Sequence, residues 1–192
     1  MPFERRVLSV FGDFDAMLAI NPLGKVPVLE LDDRERLFDS RAILDHLDSR
    51  VALDRRLTPA REPERRAVLR IDAVATGLAE KLTERAYEFA RRDPAKRDAA
   101  IVARVERQIA SALAWLETLA PSPWLFGDRM SRADVTTAIA FTYLIEKHGG
   151  LLERHPSPVL AAHCRRCEAL PPFAAAAYSA AEAARSGWRP ET

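Results

Sequence analysis

The 192-residue chain is 48% apolar and carries 29 basic against 28 acidic side chains, a net charge of +1. The signs are interspersed, so no basic stripe exists to neutralise phosphates and nucleic acid is not an expected partner. No run approaches the roughly 20 apolar residues of a membrane helix and the N-terminus lacks the apolar core of a signal peptide, which leaves a cytoplasmic protein as the expectation.

Residues 5–11 carry Val7, Leu8, Val10 and Phe11 ahead of Gly12-Asp13 and read as a strand. A short helix over 14–20 should end at Asn21-Pro22, because the residue before a proline is pushed out of the helical region. Residues 26–31 read as a second strand, 32–35 as a hairpin turn and 36–38 as a third strand, so the last two should pair antiparallel. Ser40 reads as the N-cap of a helix running to about Leu47, with Ile43, Leu44 and Leu47 on one face.

Between 50 and 63 the pattern breaks, with Pro59 and Pro63 in a charged stretch, and this segment is the expected linker. Beyond it every apolar period is helical. Ile71, Ala75, Leu78, Leu82 and Phe89 line a first long helix ending near Asp93-Pro94, and Ile101, Val105, Ile109, Leu113 and Leu116 line a second. A third should run from Arg132 to about Lys147, where Gly149-Gly150 would stop it, with shorter helices after Ser157 and Pro172. The class is α+β, with a strand-containing domain over 1–49, a linker over 50–63 and an all-helical bundle over 64–192.

Four groups of residues invite a chemical reading. A proline opening a strand withdraws its nitrogen from the ladder, so at Val26-Pro27 an extended peptide ligand could pair with the main chain of Val26; Pro27 could equally do no more than open an edge strand. Asp39-Ser40 stands at a helix start, where free amides and positive dipole potential suit an α-carboxylate while Asp39 could hold an ammonium; a plain cap is the alternative. Lys25 could meet a second carboxylate or sit solvated in its loop. Ser131 and Asp134 form a capping-box pattern with a folding role.

His163-Cys164-Arg165-Arg166-Cys167 raises a metal or redox possibility. A redox pair should follow a strand and open a helix, whereas these residues fall in the helical half, so both cysteines read as structural and no metal site is expected. Two thiols so close in sequence cannot staple a fold, which fits a reducing compartment.

The run Asn21-Pro22-Leu23-Gly24-Lys25-Val26-Pro27-Val28-Leu29 followed by Asp39-Ser40, together with Phe126-Gly127-Asp128 before the Ser131–Asp134 box, resembles the glutathione S-transferase family over nearly the whole chain. The resemblance implies a thioredoxin-like N-terminal domain and a helical C-terminal domain. It also implies that Pro27 is cis, that Val26 pairs with the cysteinyl part of glutathione and that Asp39 and Ser40 bind its γ-glutamyl end. Lys25 would take the glycyl carboxylate. Glutathione would be the co-substrate, a small electrophile its acceptor in a pocket involving Tyr87 and Trp188, detoxification the role and a homodimer the assembly. In this family a Tyr, Ser or Cys near the first strand or first helix activates the thiol, and a first strand and helix precede the segment matched here. This chain starts too close to the motif to hold them, so the thioredoxin-like domain is incomplete, no catalytic residue is identifiable, and the coding sequence is expected to begin further upstream. The competing expectations are a non-catalytic glutathione-binding or scaffold protein, and a glutathione-dependent isomerase or dehalogenase.

Overall fold

A computed structural model describes residues 3–177, 179 and 182. Two units arise among the described residues, one from the chain up to Asp54 together with Ala177, Ser179 and Glu182, the other from Arg55 to Ala176.

In the first unit, α1 (Phe14–Ile20), β1 (Val28–Glu30), β2 (Arg36–Phe38) and α2 (Ser40–Ser49) follow in chain order. The strands pair antiparallel with Val28 opposite Phe38, Leu29 opposite Leu37 and Glu30 opposite Arg36. The turn between them closes through the Leu31 amide donating to the Glu35 carbonyl at 2.8 Å. Arg36 ties the unit together, donating from Nε to Glu30 Oε2 at 2.9 Å and from Nη1 to the Ala19 carbonyl at the end of α1 at 3.1 Å. The Glu30 carboxyl is held below its ordinary range first by that Arg36 hydrogen bond.

The expected strand over 5–11 does not form. A strand persists through ladder bonds to a neighbour, and among the described residues β1 and β2 pair only with each other. The segment instead runs into a turn: the Ser9 carbonyl accepts from the Asp13 amide at 2.9 Å, and Ser9 Oγ accepts from the Gly12 amide at 3.0 Å. The helix over 14–20 and the hairpin stand as the spacing predicted, although β1 is shorter than the run 26–31.

The second unit is helical: α3 (Glu64–Ala90), α4 (Ala99–Glu117), α5 (Arg132–Arg154), α6 (Pro158–Glu168) and α7 (Pro171–Ala176). α3 packs on α4 and α5, and α5 on α6. Val68, Leu82, Ile109, Leu116, Phe141 and Leu144 are fully buried in its core. Each sits at helical spacing on its own element, so one apolar stripe per helix supplies the core.

The regular run from Arg132 ends at Lys147, as the spacing predicted, but Gly149-Gly150 do not end the element. The helix kinks at His148, whose φ of −140° and ψ of 35° leave the helical region, and resumes to Arg154. Beyond the kink Leu151 is buried to 1% exposure. Its burial outweighs the roughly 1 kcal/mol that each glycine costs a helix. Arg85 Nη1 lies 3.0 Å from Nδ1 of the buried His148 and anchors the bend to α3.

Candidate functional site

The hairpin register brings the two halves of the predicted peptide site together. With Val28 opposite Phe38 as the last pair of the ladder, Val26-Pro27 leads into one strand at the same end at which Asp39-Ser40 leaves the other. The Val26–Pro27 bond is cis. Val26 is 57% exposed, and among the described residues its main chain has no hydrogen-bond partner. A ligand strand could therefore pair there without displacing anything.

The loop that presents Val26 is organised by Asn21, to which sequence reasoning assigned no role. Asn21 is buried; its Oδ1 accepts from the Leu23 amide at 3.0 Å and its Nδ2 donates to the Lys25 carbonyl at 2.8 Å. An Asn bonding to the main chain two residues on is an Asx turn, and the Asn-Pro-x-Gly spacing was its available signal. Gly24 completes the loop at φ +59°, where an added Cβ would meet Phe14 Cε2 at 2.5 Å. Lys25 itself is exposed, leaving its ammonium in solvent.

At the other half, Asp39 and not Ser40 is the N-cap of α2. Its Oδ1 accepts from the Arg41 amide at 2.8 Å, and Ser40 is the first helical residue. The side chain of residue 39 begins one position further from the helix, which lets a carboxylate reach back to the amide of Arg41. Asp39 adopts φ +71° and ψ 130°. Positive φ is uncommon for a non-glycine residue and is characteristic of sites where neighbours fix the backbone. The Arg41 guanidinium also approaches Asp39, Nε to Oδ1 at 3.3 Å, while half of the Asp39 side chain remains exposed. Ser40 is exposed beside it at the helix start.

The other predicted residues fall in the second unit or outside the described residues. Tyr87 lies on α3 with 47% exposure, and Trp188 lies outside the described residues. Ser131 and Asp134 form the expected box at the start of α5, with the Ser131 amide donating to Asp134 Oδ2 at 2.7 Å. Asp134 does more than close the box: its Oδ1 accepts from the Leu125 amide at 2.7 Å, and the Nε2 of His163 on α6 lies 3.6 Å from that same oxygen. A second buried pair, Arg132 with Asp72 at 3.0 Å, ties the same end of α5 to α3. Cys164 and Cys167 are buried free thiols, and burial raises both, Cys167 to about 12. Thiols so held are neutral at physiological pH, which suits packing and not nucleophilic chemistry.

Residues 1–55 match the family model of the glutathione S-transferase N-terminal domain, and residues 99–166 that of the C-terminal domain. A glutathione transferase family member from Pseudomonas fluorescens Pf-5, solved with bound glutathione, is 32% identical, with 89% of this chain and 82% of that one covered and a TM-score of 0.78. The chain belongs to the glutathione S-transferase family. Its fold is accordingly a thioredoxin-like N-terminal domain with a helical C-terminal domain. Another member, from Methylobacterium radiotolerans JCM 2831 in complex with glutathione sulfonate, superposes with a TM-score of 0.82 at 28% identity, over 93% of this chain and 85% of that one. Among characterised proteins, the maleylacetoacetate isomerase of Pseudomonas aeruginosa is 31% identical over 143 residues, 73% of this chain; the match spans 66% of the isomerase's length.

Proposed function

We propose that this member of the family binds glutathione at the open end of its hairpin and presents the thiol to a small electrophile. What supports the reading is a hairpin whose last ladder pair, Val28 with Phe38, is flanked by the unpartnered main chain of Val26 on one strand and the Asp39–Ser40 helix start on the other, in a chain whose relatives were solved with glutathione and glutathione sulfonate.

Each end of the tripeptide has chemistry to meet. The cysteinyl amide and carbonyl pair with Val26 as an added strand. The γ-glutamyl carboxylate lies on the first amides of α2 and the Ser40 hydroxyl, where the helix dipole is positive, and its ammonium faces Asp39. The Lys25 ammonium takes the glycyl carboxylate. In the reaction the thiol loses its proton to solvent, the thiolate forms a carbon–sulfur bond with the electrophile, and the leaving group departs with the bonding pair. The residues named here bind and orient; the thiol-activating donor is not among them. The electrophile would draw on Tyr87 and Trp188. The domain division 1–49, 50–63 and 64–192, the homodimer and the cytoplasmic location complete the proposal.

A second reading, a glutathione-dependent isomerase, is favoured by the likeness to maleylacetoacetate isomerase. There the thiolate adds to a double bond, rotation follows and the thiolate leaves, so glutathione is regenerated. Titration calorimetry with glutathione tests the shared binding step, and Ser40→Ala should weaken it about tenfold, as expected for one charge-assisted hydrogen bond. Turnover of a generic aromatic electrophile against isomerisation of maleylacetoacetate then separates the two reactions. Binding with neither reaction assigns the chain to the non-catalytic alternative, and no binding defeats the proposal.

A further inference from the structure

Asn21 takes part in four hydrogen bonds, and one of them exceeds what a turn requires. Its amide donates to the Met17 carbonyl at 2.8 Å, which fixes the residue to the end of α1, and its carbonyl accepts from the Gly24 amide at 2.8 Å. Oδ1, accepting from the Leu23 amide, closes the Asx turn, a duty that Asp also performs and Ser performs more weakly. The fourth bond runs from Nδ2 to the Lys25 carbonyl at 2.8 Å. It needs a donor, which a carboxylate lacks and a serine hydroxyl, one bond shorter, does not bring to the same place. An acceptor on one side and a donor on the other are supplied by one orientation of the amide only.

That fourth bond decides where the next peptide unit points. The Lys25–Val26 peptide is trans and planar, so its carbonyl and its N–H face opposite ways. With the carbonyl turned inward to Asn21, itself 2% exposed, the Val26 N–H is turned outward. Among the described residues this N–H has no partner. A hydrogen bond donated to the carbonyl also polarises the peptide unit, which makes the N–H on its far side a stronger donor. Because the bond is already closed without ligand, binding need not order this segment first.

We infer that Asn21 is a positioning residue for glutathione: through Nδ2 it aims the Val26 N–H at the cysteinyl carbonyl oxygen without touching the ligand. The inference rests on the reading that Val26 pairs with the tripeptide, and adds which residue outside the contact sets the strength of that pair. The alternative, that Asn21 only stabilises its loop, predicts a loss shared by every ligand of the site. Positioning predicts a loss confined to ligands that carry the cysteinyl carbonyl.

The test is NMR titration of the full chain with glutathione and two analogues. γ-Glutamylalaninamide keeps the γ-glutamyl end and the carbonyl at the cysteinyl position but lacks the thiol and the glycyl carboxylate; γ-glutamylethylamide lacks the carbonyl as well. Asn21→Ser is neutral and removes the donor to Lys25. It should weaken glutathione and γ-glutamylalaninamide about tenfold each, the worth of one hydrogen bond, and leave γ-glutamylethylamide within about twofold of the parent. Should that variant fail to fold, Asn21→Thr, which suits the extended backbone of residue 21 at φ −132° and ψ 119°, should give the same split. Equal weakening of all three ligands would overturn the inference in favour of a structural role, and so would a folded variant that binds glutathione as the parent does. A parent that does not bind glutathione would defeat the glutathione reading and this inference with it, so the two failures are told apart by the parent alone.

Discussion

Asp134 Oδ1 and His163 Nε2 lie 3.6 Å apart with both side chains fully buried. The carboxylate arrives from the first turn of α5 and the imidazole from the middle of α6. Because Asp134 also receives the amides of Leu125 and Ser131, one buried charge holds the entry loop, the helix start and the neighbouring helix in register. Cys167 Sγ, 3.6 Å from His163 Nε2, and the edge of Trp124 enclose the imidazole.

Burial lowers the His163 pKa, with Arg166 adding to the effect and Asp134 opposing it. The native state therefore binds fewer protons than the unfolded chain once the pH falls below the unfolded value of about 6.5. Stability contributed by this residue is present above that pH and declines as the solution is acidified. Urea midpoints measured between pH 7.5 and 5.5 should fall with acid, and His163→Gln, which keeps a donor near Asp134 without titrating there, should flatten the profile. A parent midpoint that stays level across that window would contradict the assignment.

Much of this architecture was legible in the sequence where a short-range rule governs it. The helix over 14–20, the hairpin strand 36–38 and the box at Ser131–Asp134 follow from an Asn-Pro stop, a polar turn and a reciprocal cap, each decided within a few residues. The strand expected over 5–11 failed because Val7, Leu8 and Val10 supply an apolar pattern, but a ladder needs a neighbour that pattern cannot specify. The break after Lys147 was legible, whereas the resumption of helix through Gly149-Gly150 was not, because there a local glycine cost was set against the burial of Leu151, a tertiary term. In the candidate site, Val26, Pro27, Asp39 and Ser40 were visible as a motif. The role of Asn21 was not, since its hydrogen bonds matter only once burial has removed water from them, and Asp39 displaced Ser40 as the cap because its longer side chain reaches the Arg41 amide.

Gly24 should be intolerant of any side chain. An alanine there would carry the φ of +59° at a cost of about 1 kcal/mol, and its Cβ would press on the Phe14 ring at 2.5 Å. Gly24→Ala should therefore destabilise the first unit by about 1–3 kcal/mol and weaken glutathione binding by moving the loop that carries Val26. Thermal unfolding and calorimetry report the two effects separately. Adding Phe14→Ala should recover the steric part and leave the backbone part in place.

The two thiols should be silent in the folded protein. Cys164 is buried against Thr142 Oγ1 at 3.2 Å and Cys167 is pushed up to about 12 by burial, so neither offers an accessible thiolate near neutrality. Native protein treated with a disulfide reagent at pH 8 should release no chromophore within minutes, and the denatured chain two equivalents per molecule. Fast reaction of the native chain would mean that α6 opens readily.

Asp39 carries two duties that one substitution separates. Its carboxylate caps α2 through the Arg41 amide, and in the proposed complex it neutralises the ligand's ammonium. Asparagine keeps the acceptor oxygen, is an equally good N-cap and tolerates positive φ, so Asp39→Asn should change stability by less than about 0.5 kcal/mol. The lost charge should nonetheless weaken glutathione about tenfold, since charge-assisted hydrogen bonds are worth roughly 1.5–3 kcal/mol. Asp39→Ala should lose both functions, with a further loss of stability of about 1 kcal/mol from the missing cap, read as a lower unfolding midpoint. If Asp39→Asn binds glutathione as the parent does, the carboxylate serves the helix alone and the ammonium must be met elsewhere.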